Sequence, residues 1–214
     1  SYDSYEPSVL GAGWKPVRVL LNDDYTPNFS RIKSAISAKT KMIVINNPHN
    51  PTGRIWTEQD FEALETILEK HPQILILGDE VYEYITFSQP HISFNTRPKL
   101  VERTIIASSF GKSLHVTGWK VGYLIAPEHL MFEMKKVHQF LVFSVNSFSQ
   151  HAISEYLDVV DFSEVSKMYQ RKRDLFQSLI KNSRFELMPC DGTYFQVVNY
   201  NQISEKNDVD FAKE

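Results

Sequence analysis

Residues 42–79, MIVINNPHNPTGRIWTEQDFEALETILEKHPQILILGD, contain the clearest architectural signal in the chain. Two short runs within it, 42–46 and 74–77, are rich in Ile, Val and Leu, as strands covered on both faces should be. Between them, residues 57–70 place apolar side chains at helical spacing, and Thr57 followed by Asp60 has the form of an N-cap with an acidic first turn. A strand, a crossover helix and a second strand make one unit of a parallel sheet.

The same alternation extends outward. Residues 17–21, 104–107 and 121–126 are further strand candidates, giving five in all, and residues 28–37 form another crossover helix. The gap at 108–120 contains Gly111 and Gly118 and is too short and irregular for an ordinary crossover, which favours an antiparallel return for 121–126. After Pro127 the spacing predicts helices over 128–140, 147–158 and 162–182, the last long enough to link two domains. The tail, 185–200, alternates strand-like segments around the turn signal Pro189-Cys190-Asp191-Gly192. The expected class is α/β: a mainly parallel sheet with one antiparallel strand, covered by helices, followed by the start of a small α/β domain. Residues 1–161 are assigned to the large domain and 162–214 to the linking helix and the small one.

Composition narrows the function. With 42% hydrophobic and 23% charged residues over 214 positions, the chain can bury a sizeable core. A net charge of −3 argues against a nucleic-acid partner held by phosphate contacts, and Lys135-Lys136 and Arg171-Lys172-Arg173 fall in helical patterns as solvated faces. The single cysteine, Cys190, excludes an intrachain disulfide, argues against structural zinc and suits a reducing compartment, the cytoplasm by default. No metal site and no membrane partner are expected, since neither a signal-peptide pattern nor a bilayer-length apolar run is seen. The chain opens on Ser1 and a polar, turn-like stretch to Pro7, and closes in what reads as the opening of a helix, so an internal piece of a larger protein is expected.

Ligands of open α/β sheets gather at the carboxyl ends of parallel strands. After 42–46 comes Asn47-Pro48-His49-Asn50-Pro51-Thr52-Gly53, a loop stiffened by two prolines that suits an amide held in place, although taken alone it reads as an ordinary Pro/Gly turn between strand and helix. His49 is a pocket residue or, more simply, a loop histidine. After 74–77 comes Gly78-Asp79-Glu80-Val81-Tyr82, where a carboxylate close to the core wants a cationic partner, unless it is a solvent-facing cap. After 104–107 come Ser108-Ser109-Phe110-Gly111-Lys112 and, before the return, Thr117-Gly118-Trp119-Lys120. Two lysines among hydroxyls and glycines can hold a phosphate, and a lysine beside a cation or in an apolar pocket becomes a nucleophile. Any one of these lysines reads as an exposed loop residue; four such features meeting do not.

Asn50-Pro51-Thr52-Gly53, Asp79-Glu80-Val81-Tyr82, Ser109-Phe110-Gly111-Lys112 and Thr117-Gly118-Trp119-Lys120-Val121-Gly122, in this order, resemble the motifs of class I and II aminotransferases, enzymes of pyridoxal 5'-phosphate (PLP). The likeness covers nearly the whole chain and is nearest to the branch of methionine and kynurenine (glutamine) aminotransferases. It implies that Lys112 forms the Schiff base with PLP and moves the proton between Cα and cofactor. It also implies that Asp79 pairs with the pyridine nitrogen, and that Tyr82 and Asn50 hydrogen-bond the phenolic oxygen. Ser109 and Lys120 would bind the phosphate, a point charge at Lys120 standing where relatives outside this branch carry an arginine fork. Tyr2 matches the aromatic that stacks on the ring, or is a plain surface tyrosine.

The family's small-residue phosphate loop and first strand would precede Ser1, and its carboxylate-gripping arginine would follow Glu214. The resemblance implies a homodimer with sites at the interface, amino acids and 2-oxo acids as substrates, and ping-pong transfer of an amino group. The residues leave two alternatives open. One is PLP-dependent β-elimination from a cysteine conjugate, which also begins with loss of the Cα proton; the other is a non-catalytic PLP-binding regulatory module.

Overall fold

The computed structural model describes residues 2–214. Its main sheet has four strands in the order β1 (Met42–Asn46), β2 (Leu75–Asp79), β3 (Thr104–Ser109) and β4 (Gly122–Ile125). β1, β2 and β3 run parallel, and β4 returns antiparallel to β3, as the length of the connecting segment led us to expect. The helices, numbered along the chain, are α1 (Tyr5–Gly11), α2 (Phe29–Ala35), α3 (Glu58–Leu68), α4 (Phe110–Ser113), α5 (Glu128–Leu141), α6 (Ser147–Leu157), α7 (Phe162–Ile180) and α8 (Asp208–Ala212). The mainly parallel, helix-covered α/β sheet is therefore as expected. A two-stranded antiparallel pair, β5 (Glu186–Leu187) with β6 (Val198–Asn199), follows α7.

The start of α3 follows directly from its sequence. Thr57 Oγ1 accepts from Asp60 N at 3.3 Å while Asp60 Oδ2 accepts from Thr57 N at 2.7 Å, a complete capping box. The helix then lays Phe61, Leu64 and Leu68, all fully buried, against Ile45, Ile76 and Ile106 of the sheet. Trp56, Phe61 and Phe94 close this core edge to face, with ring centroids 4.8–5.5 Å apart. Each such side chain contributes about 1.5–3 kcal/mol by leaving water.

Three expectations need correction. Residues 17–21 are not a strand: no ladder reaches them among the described residues, and Val17 and Leu20 stay exposed. β-branched residues favour a strand only where a neighbour supplies cross-strand contacts, and here none does. The stretch expected to be turn-like folds into α1 from Tyr5 onward. β2 runs on to Asp79 rather than stopping at Leu77, because Gly78 lies inside the ladder; a Cβ there would stand 3.1 Å from Phe94 and 3.2 Å from Ile106.

The far side of the chain is less covered. α5 buries no residue, and Phe140, Phe143 and Phe148 around its end are 82%, 87% and 85% exposed. Among the described residues no helix is long and apolar enough to cross a membrane.

Candidate active site

The parallel strands end in register. Asn46 pairs with Asp79, and Asp79 with Ala107, so the three segments that follow emerge along one edge of the sheet. Side chains alternate along β2: Ile76 and Gly78 face the α3 core, and Asp79 lies half-buried on the opposite face. The loop after β1 is tied to this edge, with Asn46 Nδ2 donating to Asp79 O at 3.0 Å and Asn46 Oδ1 accepting from Asn50 N at 2.7 Å. Asn50 Nδ2 in turn donates to the Tyr82 hydroxyl at 3.4 Å. Tyr82 is 3% exposed. Burial first, and then its bond to Tyr194, push its phenol well above the usual tyrosine range, so it keeps its proton.

Asp79 Oδ1 accepts from Val81 N at 3.2 Å, and Oδ2 accepts from the hydroxyl of Tyr5 in α1. Burial and the Asp79 carboxylate both push the Tyr5 phenol up, so it serves as a donor. Tyr2 stands beside it, exposed, its ring 5.8 Å from that of Tyr5 in an edge contact. His49 is bonded through Nδ1 to Thr52 Oγ1 at 2.8 Å, and burial lowers its pKa to about 4, so it braces the loop as a neutral ring.

Beyond β3 the chain turns into α4. Ser109 Oγ accepts from Gly111 N at 3.1 Å and donates to Val121 O at 3.3 Å. A Cβ on Gly111 would meet Thr117 Cα at 3.0 Å, so a glycine is needed where α4 crosses the Thr117–Trp119 turn. Lys120 ends that turn, exposed, in a left-handed conformation with φ +56°. Lys112 lies half-buried in α4 with Nζ 5.5 Å from the centroid of Tyr194, and no salt bridge holds it among the described residues.

Tyr194 comes from the segment after α7, and its hydroxyl is 3.5 Å from that of Tyr82. That segment docks on the large sheet's loops: Asp191 N donates to Gly53 O at 3.0 Å, Thr193 N to Ile85 O at 2.8 Å, and Arg54 pairs with Asp191 at 2.7 Å. Sequence reasoning missed Tyr5, Asn46 and Tyr194. Asn46, a polar residue closing an apolar run, carried a local signal; the contacts of Tyr5 and Tyr194 span 74 and 112 residues and carried none.

The sequence model of the family described as aminotransferase class I and II matches residues 1–214. The chain belongs to the class I and II aminotransferases. It is 39% identical over 217 residues to methionine aminotransferase of Escherichia coli, covering 100% of this chain and 56% of that protein. It is 32% identical to kynurenine–oxoglutarate transaminase of Dictyostelium discoideum, covering 97% and 53%. The crystal structure of the E. coli methionine aminotransferase superposes with a TM-score of 0.95 at 40% identity, over 99% of this chain and 57% of that one. N-succinyldiaminopimelate aminotransferase of Mycobacterium tuberculosis superposes with a TM-score of 0.94 at 27% identity, over 99% and 56%. The chain thus spans about half the length of these relatives.

Class I and II aminotransferases depend on PLP, and the donor set at this sheet edge fits that group. It offers a half-buried carboxylate, a protonated phenol joined to an amide, an amine without a carboxylate partner, and a hydroxyl with a second ammonium beyond it. Among the described residues no group of three or more His, Cys, Asp or Glu gathers where a metal ion would be held.

Proposed function

We propose that the intact protein transfers an amino group from an amino acid to a 2-oxo acid, with PLP held on Lys112. The observation that carries this reading is the registered end of the three parallel strands, from which Asn50, Asp79 with Tyr82, and Ser109 with Lys112 all emerge. PLP, when bound, supplies a ring that draws electrons away from the bonds at the substrate Cα.

The chain's own residues do the rest. Asp79, steadied by Val81 N and the Tyr5 hydroxyl, offers its carboxylate to the ring's protonated nitrogen. Tyr82, protonated because it is buried, and the Asn50 amide hydrogen-bond the ring oxygen. Ser109 and Lys120 hold the phosphate, Ser109 by turning its hydroxyl hydrogen away from Val121 O. Tyr2, beside Tyr5, would supply the aromatic face against the ring. Lys112, freed when the substrate amine displaces it from the cofactor, would take the Cα proton and return it, as a general base and then acid. Two half-reactions with one cofactor make the kinetics ping-pong.

The domain division at 161/162 belongs to this reading, with α7 linking the halves and the β5–β6 pair opening the small domain. So do a cytoplasmic location, supported by the single unpaired Cys190, and a homodimer, supported by the exposed Phe140, Phe143 and Phe148. The names of the relatives support methionine or kynurenine as donor, and the motif resemblance extends the reading to glutamine and aromatic amino acids.

The test is borohydride reduction of the intact protein after incubation with PLP, followed by peptide mapping. A modification confined to Lys112 and lost in Lys112→Ala is expected; modification elsewhere, or its survival in the variant, refutes the assignment. Oxo-acid-dependent amino transfer, against pyruvate release from a cysteine conjugate without an acceptor, separates transamination from elimination. Asp79→Ala should keep the borohydride-stable link and lose Cα proton removal; normal turnover would remove that role from Asp79.

A further inference from the structure

The turn after β2 carries another carboxylate, one residue beyond Tyr82. Glu83 folds back over the sheet, where its Oε1 accepts from Ser108 Oγ at 2.6 Å and from the Tyr123 hydroxyl at 2.6 Å. Ser108 and Tyr123 are cross-strand partners on the antiparallel β3–β4 ladder. Burial, and then the bond to Glu83, raise the Tyr123 phenol's pKa, so it remains a donor. Its ring also packs 5.1 Å from that of Phe110, the first residue of α4.

One carboxylate oxygen therefore joins three segments. The first carries Asp79 and Tyr82, the second runs through Ser108 into Ser109 and Lys112, and the third follows directly on Lys120. The backbone of the first segment is bonded to β3 only as far as Glu80 N, which donates to Ala107 O at 2.9 Å. Beyond that point the turn closes on itself, Glu83 N donating to Glu80 O and Ile85 N to Tyr82 O, both at 2.8 Å. Beyond Glu80, the hydrogen bonds that tie this turn to β3 and β4 come from the Glu83 side chain. Short bonds to an ionised carboxylate suit that task, being roughly twice as strong as neutral ones.

We infer that Glu83 is a positioning residue that fixes the spacing between the Tyr82 phenol and the Lys112 amine, touching neither substrate nor cofactor. The inference rests on the PLP reading above. Ser108 and Tyr123 are its two anchors, and the three act as one unit.

The experiment compares the intact protein with Glu83→Ala, Glu83→Gln, Tyr123→Phe and the double variant Glu83→Ala/Tyr123→Phe. Three quantities are read: the PLP dissociation constant, the midpoint of the pH titration of the visible band of the protein–PLP adduct, and the melting temperature. Glu83→Ala should weaken PLP binding about tenfold, the scale of a lost charged hydrogen bond, and move the titration midpoint. Glu83→Gln, which keeps an acceptor oxygen, should recover most of both. The double variant should lose little more than Glu83→Ala, because the same contacts are removed twice. A fall in melting temperature with PLP affinity and midpoint unchanged would overturn the inference, leaving Glu83 a stabilising residue only. If Glu83→Ala does not fold, Tyr123→Phe carries the test: a loss of roughly threefold in affinity with a shifted midpoint is expected from one hydroxyl, and wild-type values would overturn the inference. A wild type that forms no PLP band would instead remove the cofactor reading, and this inference with it.

Discussion

Gly53→Ala should destabilise the protein far beyond what one methyl suggests. Gly53 has φ +72°, a left-handed backbone that costs a residue with a Cβ about 1–2 kcal/mol. The added Cβ would also stand 2.7 Å from the carbonyl oxygen of Gly192 and 3.0 Å from Cys190 Sγ. That oxygen cannot easily retreat, because its neighbours are pinned on both sides: Asp191 N to Gly53 O at 3.0 Å, Phe87 N to Asp191 O at 2.7 Å, and Thr193 N to Ile85 O at 2.8 Å. Overpacking against a fixed backbone costs a further 1–3 kcal/mol or so, for a total of about 2–5 kcal/mol. Gly11→Ala is the matched control. Gly11 is the exposed last residue of α1 with nothing within 4 Å of a Cβ, so alanine there should be neutral or stabilising by up to about 1 kcal/mol. Urea unfolding of the intact protein, read by fluorescence, measures both. A Gly53→Ala value within about 0.5 kcal/mol of wild type would refute the docking of residues 190–193 on the Gly53 loop, and with it the route by which Tyr194 reaches the site.

Three further outcomes follow from polar groups bonded within the fold. Glu80 is 1% exposed and accepts from Phe94 N at 2.8 Å, so Glu80→Ala, which leaves that buried N–H without its acceptor, should cost about 1–3 kcal/mol in thermal or chemical unfolding; a loss under about 0.5 kcal/mol would contradict the bond's role. Thr57→Ala removes one half of the α3 capping box and should cost about 1 kcal/mol, with the PLP dissociation constant unchanged as the check on locality. His49 titrates at about 4 in the fold against an ordinary 6.5, so on acidification the unfolded chain takes up its proton first. Its contribution is therefore present above pH 6.5, is lost as pH falls between 6.5 and about 4, and is at most roughly 3 kcal/mol. Relative to His49→Gln, which keeps an amide facing Thr52, wild-type stability should fall through that window; parallel pH curves for the two would contradict the burial of the ring.

What the sequence made legible was local. Thr57 and Asp60 announce α3 within four residues, and the Gly-interrupted segment at 108–120 announces the antiparallel return of β4. Residues 17–21 show the limit of the same logic, since their strand-like composition has force only beside another strand. Six of the seven site residues read from motifs lie near strand ends, where position along the chain and position in space nearly coincide; Tyr2, ahead of α1, is the exception. Tyr5, Tyr194 and Glu83 were not legible because each meets its partner across 25 to 112 residues, a separation that neither periodicity nor a motif encodes.

Gly78 ties these two levels together. The apolar run of residues 74–77 ends at Leu77, the last residue expected for β2. Instead Phe94 and Ile106 occupy the space a side chain would take, and the ladder continues for two more residues. Side chains alternate along a strand, so that extension sets Asp79 opposite the face packed on α3, in register with Asn46 on one side and Ala107 on the other. Had β2 stopped at Leu77, Asp79 would sit on a loop, and its direction would rest on the hydrogen bonds of Tyr5 and Val81 alone. The carboxylate's direction is thus set by the packing of the core beneath it, which is how an α/β sheet converts burial on one face into a fixed polar group on the other.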